Sequence, residues 1–292
     1  MELYQLRSFV AVAKTGHVTR AAEKLHLSQP TVSAQIKALE DEFGLALFER
    51  AYSGMTLTPA GERLLVDAER LLVGAQAMRN VAKALKGEIT GRMRVGTSSD
   101  PGFIRVGEFL NARIARYPLL QVELHQEVTG AALAKVLDGE LDASFYYGNL
   151  EHSAVGKLRL RASYYRVAAP AAWSDRVRNA SSNELALLPW IITPSISSHH
   201  TLVRALFDKH GIEPTELIEA DQESVIANLV VSGVGLSLIR EDLALAKEAS
   251  GEMCLWQDKR LETTLWFIYL LARKDDPLIL ALLSLLRDIW KL

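Results

Sequence analysis

The first residues of the chain carry apolar side chains at the spacing of a helix, and Gly16 follows where a helix commonly ends. A second, shorter helix is predicted from about Thr19 to His26. The apolar stripe of the first helix is Leu3, Leu6, Val10 and Ala13. Together the two helices predict a small helical domain at this end of the chain.

A third helix follows almost at once. Ser28 is a good N-cap, and Pro30 lies in the first turn, where its missing N–H is not needed. Its apolar stripe, at helical spacing, turns a small and polar face toward solvent. The stripe is Val32, Ile36 and Leu39, and the polar face is Gln29, Pro30, Ser33, Ala34 and Lys37. The tight turn and this polar face favour a helix-turn-helix over a generic three-helix bundle.

Two extended runs at 47–50 and 55–58 then predict a hairpin, or wing, and Thr58-Pro59 starts a longer helix. Apolar residues along it alternate spacings of four and three for about three heptads, which predicts pairing with the same helix of a second copy. Burial inside the chain's own core is the alternative, because Leu65 and Leu72 widen the stripe. The predicted dimer seam is Leu64, Ala68, Leu71, Ala75, Met78, Ala82 and Leu85.

Beyond Gly91, short strand-like runs alternate with helical stretches, which is typical of α/β folds with a mostly parallel sheet. The repetition indicates two similar lobes, and the last strand and helix are expected to return to the first lobe. Strands are predicted at 93–96, 122–128, 141–147, 164–168, 190–193, 217–220, 234–239 and 265–269. Helices are predicted from Asp100-Pro101, at 133–137, 201–210, 224–232 and 277–290.

Composition changes this picture little. The 292 residues carry a formal net charge of -2, so any DNA-binding hypothesis depends on pattern and not on a basic chain. The single cysteine, Cys254, leaves no intramolecular disulfide and no multi-cysteine zinc site. Neither a signal peptide nor a membrane span is predicted, and we therefore expect a cytoplasmic protein without membrane contact.

The order of residues in the first sixty positions resembles the signature of LysR-type transcriptional regulators. The matching runs are AAEKLHLSQPTVS at 21–33, GLALFER at 44–50 and LTPAG at 57–61. The resemblance implies a homodimer, or a dimer of dimers, that binds a pseudo-palindromic double-stranded DNA operator and works with RNA polymerase. It also implies a two-lobed effector domain similar to periplasmic binding proteins, which closes around a small molecule.

Carried over residue by residue, the resemblance places Gln29, Pro30 and Ser33 at positions that touch base edges, and Arg50 near the wing against phosphate or the minor groove. Gln29 offers a donor and an acceptor to adenine, and Pro30 can pack on a thymine methyl group. Many relatives are basic at Ala34 and in the wing, so we expect few phosphate contacts. The predicted DNA-binding residues are Gln29, Pro30, Thr31, Ser33, Ala34, Lys37 and Arg50.

The resulting domain hypothesis has four parts. It assigns a winged helix-turn-helix to 1–58, a linker and dimerisation helix to 59–90, effector lobe I to 91–163 with 268–292, and effector lobe II to 164–267.

Ligands of such folds bind where strands turn into helices and backbone N–H groups face a cleft. Asp100 is alternatively an ordinary helix cap, and if it faces the cleft it favours a neutral or cationic effector. His199 and His200 are expected at a solvated helix start, because no third metal ligand stands at a telling spacing. The predicted effector-binding residues are Ser98, Ser99, Asp100, Thr129, Tyr147, Ser195, Ser197 and His199.

No catalytic residue, cofactor or metal site is predicted. Gly233-Val234-Gly235 lacks a third glycine and precedes a strand, and no P-loop or nucleophile elbow occurs. An α/β enzyme or solute-binding protein, whose N-terminal helices only mediate oligomerisation, remains the alternative, and sequence-specific DNA binding separates the two. A DNA binder whose lobes have lost ligand binding is the third possibility.

Overall fold

The computed structural model describes residues 1–51, 54–86, 88–97, 100–208, 213–214, 216–257 and 259–292. The chain divides into two compact units, Met1–Lys86 and Gly87–Leu292. The first is helical with a small hairpin, and the second is built on a mixed sheet.

The first unit is a winged helix-turn-helix followed by a long helix, as the sequence predicts. Its elements are α1 (Leu3–Thr15), α2 (Val18–Leu25), α3 (Gln29–Phe43), β1 (Phe48–Ala51), β2 (Gly54–Leu57) and α4 (Pro59–Ala84). Strands β1 and β2 pair antiparallel to form the wing. The buried core is Leu6, Phe9, Ala11, Val12, Ala21, Ala22, Val32, Ile36, Leu39, Leu47, Phe48 and Ala68.

Local sequence sets the ends of these helices. Gly16 takes the left-handed conformation and donates its N–H to the Val12 carbonyl at 2.8 Å, which ends α1. His26 is also left-handed, with φ of 55°, and this makes the turn between α2 and α3 tight. Ser28 Oγ accepts the Thr31 N–H at 3.3 Å and so caps the start of α3.

A glycine fixes the wing against the helices. Gly54 has a φ of +136°, and a Cβ there would lie 2.4 Å from the Gly16 carbonyl oxygen. The neighbouring Met55 N–H donates to that same oxygen at 2.8 Å. The wing therefore rests on the end of α1 at a position that only glycine fits without a shift.

The apolar side chains of α4 are buried near its start and exposed farther along. Ala68 is 4% exposed and packs with Leu64 into the core of its own unit, where α4 lies against α1. Farther along, Leu71, Met78 and Leu85 are 49%, 76% and 83% exposed. The prediction that Ala68 meets a partner helix is therefore wrong, because α1 already covers it, and only the later part of the seam is open.

The second unit alternates strands and helices. Its strands are β3 (Gly91–Thr97), β4 (Leu120–Gln126), β5 (Ala143–Tyr147), β6 (Val155–Pro170), β7 (Pro189–Ile192), β8 (Glu216–Glu219), β9 (Ser237–Arg240), β10 (Met253–Leu255) and β11 (Leu261–Leu270). Its helices are α5 (Val106–Arg116), α6 (Thr129–Leu137), α7 (Ser174–Val177), α8 (Ser182–Ala186), α9 (Ser198–Asp208), α10 (Glu223–Val231), α11 (Glu241–Ala249) and α12 (Pro277–Trp290), with single 3-10 turns at Ala171–Trp173 and Leu271–Arg273.

The long strands β6 and β11 run through both lobes. The main sheet has the order β10-β6-β11-β5-β3-β4, β9 also pairs with β6, and β7 pairs with β8. Residues 265–269 of β11 pair with β5, whereas residues 165–168 of β6 pair with β9. The register between β6 and β11 shifts at Leu265/Trp266, which leaves Leu160 as the extra residue of a bulge.

Each lobe has its own core on parallel strands. In lobe I, made of β3–β5 with α5, α6 and α12, the sheet packs against the apolar face of α12, including Leu282. In lobe II, made of β7–β10 with α7–α11, Trp190 and Phe207 pack edge to face. The predicted return of the last helix to lobe I is confirmed, and the lobe boundaries, which fall within β6 and β11, stay predictions.

Several predicted element limits are wrong. The helix expected from Asp100-Pro101 begins only at Val106, because residues 101–105 form turns. Val128, assigned to a strand, is the N-cap of α6. Strand β6 begins at Val155 and not at 164, and α11 and β10 were not predicted. These errors lie where short elements follow one another closely and periodicity has few residues to act on.

Candidate functional site

On the first unit, four of the predicted DNA-binding residues line one groove. The groove has a volume of about 410 Å³ and lies between α3, the start of α2 and the wing. Gln29, Ser33 and Lys37 reach it from α3, and Arg50 reaches it from β1. The fold thus brings together side chains from two elements that the sequence assigned to one surface.

The other three predicted residues, Pro30, Thr31 and Ala34, are exposed on α3 but do not line this groove. The Thr31 hydroxyl lies 2.7 Å from Ser28 Oγ, so it takes part in the helix cap. Pro30 and Ala34 present small apolar surfaces, which suit contact with a thymine methyl group.

The groove also contains residues that the sequence did not single out. His17 and Thr19, at the start of α2, line it opposite Ser33 and Lys37. Glu40 lines it as well, but its Oε1 accepts the N–H groups of Leu47 at 2.7 Å and Phe48 at 3.2 Å. That carboxylate therefore ties the base of the wing to α3.

The charge of this region is balanced. Lys14 is paired with Glu69 at 3.1 Å, whereas Lys37 and Arg50 are exposed at the groove. Residues 1–58 contain the cations Arg7, Lys14, Arg20, Lys24, Lys37 and Arg50 and the acids Glu2, Glu23, Glu40, Asp41, Glu42 and Glu49.

On the second unit, a cleft of about 410 Å³ opens between the two lobes. Four of the predicted effector-binding residues line it: Thr129, Tyr147, Ser197 and His199. Ser195 is exposed and is not among its lining residues, so that prediction is wrong. The predicted Ser98 and Ser99 lie outside the described residues.

Further lining residues were not predicted, and two acidic ones among them, Asp221 and Glu223, come just before and at the start of α10. The strand-to-helix rule that selected Thr129 applies to them too, because they follow β8 and begin a helix. The remaining lining side chains are Gln126, Glu127, Val128, Tyr165, Thr193, Ser198, Gln222, Ile226 and Leu238.

Asp100, predicted to meet the effector, does not line the cleft. Its Oδ1 accepts the Phe103 N–H at 3.0 Å, and its Oδ2 accepts from Arg240 Nη2 at 2.6 Å. Burial opposes ionisation, yet these two donors hold the Asp100 pKa below its ordinary value. The prediction is corrected: Asp100 caps a turn and binds a guanidinium across the lobes.

Arg240 is the centre of an acidic cluster that spans both lobes. Besides Asp100 of lobe I, it donates to Glu223 Oε2 at 3.1 Å and to Asp242 Oδ1 at 2.6 Å, both in lobe II. Its guanidinium also lies 3.8 Å from the centre of the Phe103 ring. Burial works against the charge, but the Asp242 hydrogen bond and the nearby carboxylates raise the Arg240 pKa, so it stays charged.

The sequence predicts His199 at a solvated helix start. It does lie in the first turn of α9, but its ring is partly buried at the cleft. Its Nε2 lies 2.8 Å from the Leu238 carbonyl oxygen, which only accepts, so Nε2 carries the hydrogen. Burial lowers the His199 pKa to about 4, although the Leu238 bond opposes this. The ring is therefore neutral at pH 7 and brings no positive charge to the cleft.

Two family models together match almost the whole chain. Residues 3–62 match the model of bacterial regulatory helix-turn-helix proteins of the lysR family, and residues 86–291 match the LysR substrate binding domain. The chain belongs to the LysR family. It is a LysR-type DNA-binding transcriptional regulator whose second domain is an effector-binding domain.

Individual LysR-family proteins resemble this chain over most of its length. The regulator BenM of Acinetobacter baylyi is 30% identical over 247 residues, which cover 82% of this chain and 80% of BenM. YofA of Bacillus velezensis is 29% identical over 239 residues, covering 82% of this chain and 81% of YofA. Full-length OxyR from Pseudomonas aeruginosa superimposes with a TM-score of 0.70 at 26% identity, over 100% of this chain and 95% of that one.

The LysR relatives are named as transcriptional regulators and not as enzymes. Within the described parts of this chain, no helix is both long and apolar enough to cross a membrane. The same residues hold no group of three or more His, Cys, Asp or Glu side chains placed to bind a metal ion.

Proposed function

We propose that this regulator reads a pseudo-palindromic operator with α3 and the wing, and that a small molecule in the interlobe cleft changes how it does so. The observation that carries the DNA-binding part is the shared groove of Gln29, Ser33, Lys37 and Arg50. Gln29 and Ser33 offer hydrogen bonds to base edges, and Lys37 and Arg50 offer positive charge to phosphates.

The open part of the α4 seam supports a dimer. Leu71, Met78 and Leu85 are large apolar side chains that α1 leaves exposed. Ala75 and Ala82 lie between them at the same alternating spacing. A second copy of α4 would bury this stripe, as in a coiled coil, and would set two recognition helices for the two halves of an operator.

The cleft supports effector sensing, with Thr129, Tyr147, Ser197 and His199 as contacts. The predicted boundaries, 91–163 with 268–292 for lobe I and 164–267 for lobe II, place the cleft between two bodies that share β6 and β11. A ligand that binds the closed lobes more tightly than the open ones shifts that equilibrium. We infer that closure alters the spacing of subunits on DNA.

The remaining parts of the proposal follow from this role. A protein that acts on a bacterial operator works in the cytoplasm, beside RNA polymerase. We infer that it has no catalytic activity of its own, because its relatives are named for regulation.

Fluorescence anisotropy tests the DNA-binding part, with the full chain, its own upstream region and a scrambled duplex at near-physiological salt. We expect tight binding to the upstream region only, and its loss in Ser33→Arg, because the larger side chain fills the groove. Ser153→Arg is the matched control, since Ser153 is exposed in the second unit. Equal weak binding to both duplexes would favour the enzyme or solute-binding alternative.

A further inference from the structure

The charged side chains that line the cleft, among the described residues, are all acidic. They are Glu127, Asp221 and Glu223. The Glu127 carboxylate is paired with Lys135, so Asp221 and Glu223 give the cleft its unbalanced charge. A cleft of about 410 Å³ is large enough for a small metabolite, and its walls set the charge of the molecule that fits.

The nearest buried cation does not offset this charge. Arg240 is bound by Asp100, Glu223 and Asp242 at 2.6, 3.1 and 2.6 Å, so one positive charge faces three carboxylates. Its side chain is 7% exposed and does not line the cleft. Arg240 is therefore not placed to receive the carboxylate of a ligand.

The cleft histidine does not offset the charge either. His199, with its pKa lowered to about 4 by burial, is neutral at physiological pH, and its Nε2–H is used by the Leu238 carbonyl. The hydroxyl groups of Thr129, Thr193 and Ser197 are uncharged. The electrostatic character of the described cleft is thus set by its carboxylates.

One carboxylate oxygen of Glu223 has no hydrogen-bond donor among the described residues. Its Oε2 accepts from Arg240 Nη1, whereas its Oε1 is buried and has no donor in the described part of the chain. A buried carboxylate oxygen without a donor is unfavourable, and an N–H group of a ligand would satisfy it. Burial raises the Glu223 pKa, and the charges of Asp100 and Asp242 raise it further against the effect of Arg240.

We propose that the effector carries a positively charged nitrogen, an ammonium or guanidinium group, that donates to Glu223 Oε1 beside the Asp221 carboxylate. This inference rests on the proposed role of the cleft as the effector site. The first turns of α6 and α9 also reach the cleft, at Thr129 and Ser198. Their N–H and hydroxyl groups suit oxygen atoms elsewhere on the same ligand.

Four probes with the same five-carbon chain test the charge preference: cadaverine, 5-aminopentanoate, 1,5-pentanediol and glutarate. Isothermal titration of the full chain should show the two amines binding at least about tenfold more tightly than the diol and the diacid, as expected for a buried charge-assisted hydrogen bond. We expect this preference to fall about tenfold in Glu223→Gln, which keeps the shape of the side chain and removes its charge.

Two further variants test whether the amine preference depends on the charge of the cleft. Asp221→Asn changes an exposed side chain, so it tests the same charge without disturbing Arg240. Glu219→Gln makes the same charge change in β8 at an exposed residue that does not line the cleft, and it should bind the probes as the parent does.

Equal binding of all four probes, tighter binding of glutarate, or no measurable binding of the amines overturns the proposal. An amine preference that persists in both Glu223→Gln and Asp221→Asn overturns it as well. Tighter binding of glutarate rejects only the charge of the effector and leaves the cleft as its site. Failure of the full chain to select its operator rejects the regulatory function, whichever probe binds.

Discussion

The two units hold their charged and polar side chains in opposite ways. On the first unit, Lys37 and Arg50 are exposed at the groove, and Met78 is exposed on α4. In the second unit, Arg240 is held by three carboxylates and His199 by a carbonyl group. A surface that meets a polyanion or a second helix gains its energy on contact, whereas a cleft that selects a small molecule fixes its polar groups beforehand.

The largest effect on stability is expected when Arg240, which three carboxylates hold in place, is replaced. Arg240→Met leaves Asp100, Glu223 and Asp242 without their shared counter-ion, and breaking a buried ion pair in this way costs about 3–5 kcal/mol. We expect that loss in the free energy of unfolding, measured by urea denaturation. Arg116→Met, which removes an exposed pair with Asp288, should change it by less than about 1 kcal/mol. Equal losses of stability in the two variants would contradict the conclusion that the three carboxylates hold Arg240 in place.

The next effect tests whether the exposed stripe of α4 meets a partner. In Met78→Glu combined with Leu85→Glu, two acids replace apolar side chains that a dimer would bury, so association should weaken by about 3 kcal/mol, or roughly a hundredfold. Sedimentation velocity over a concentration series measures this. Lys83→Glu places an acid outside the seam and should leave association unchanged. If Lys83→Glu weakens association as much as the double variant does, the exposed stripe of α4 is not the dimer interface.

A smaller effect is expected from pH. The folded His199 pKa is about 4, below the ordinary 6.5, so the unfolded chain takes up a proton that the folded site refuses. Stability should be unaffected above about pH 6.5 and should fall by about 3 kcal/mol as pH drops to about 4. In His199→Gln, whose amide can still donate to Leu238, this loss should disappear. The exposed His152 is the control: if His152→Gln removes the same loss, the burial of His199 is not its cause.

The smallest effects concern single cations on the DNA surface. Lys37→Gln and Arg50→Gln should each reduce the slope of log affinity against log salt by about 1, with a several-fold loss of affinity at physiological salt. Lys14→Gln, which removes a cation paired with Glu69, should leave the slope unchanged. The slope of the parent protein should itself be shallow, since neither position 34 nor the segment 52–55 between and into the wing strands carries a basic residue. A slope as steep as that of basic-winged relatives would argue against this surface.

The helix-turn-helix could be predicted from the sequence because its determinants are local. Ser28, Pro30 and Gly44 mark the ends of α3. Its buried apolar stripe, Val32, Ile36 and Leu39, determines which face is exposed. The exposed face followed from that pattern, whereas its assignment to DNA came from the resemblance to LysR-type regulators and stays a prediction. Periodicity does not say which neighbour covers an apolar face, and for that reason Ala68 was assigned to a partner when α1 covers it.

The cleft could be predicted only in part, because its chemistry depends on residues far apart in the chain. Thr129 and Tyr147 were found from strand ends, but the partner of Asp100 is Arg240, 140 residues later. The tautomer of His199 is set by the Leu238 carbonyl, 39 residues away. No local pattern encodes these pairings, since each joins residues that only the folded chain brings together.

The ladder of β6 and β11 has a mechanical consequence. Two antiparallel strands connect the lobes, and their bulge at Leu160 lies in the lobe I core, shortly before residues 165–168 of β6, which pair with β9 of lobe II. A bulge interrupts the ladder, bends the strand that carries it and increases its local twist. Under the proposed closure, a ligand that draws the lobes together would have to bend these two strands, and we expect that bending to concentrate at the bulge, where the ladder is already interrupted.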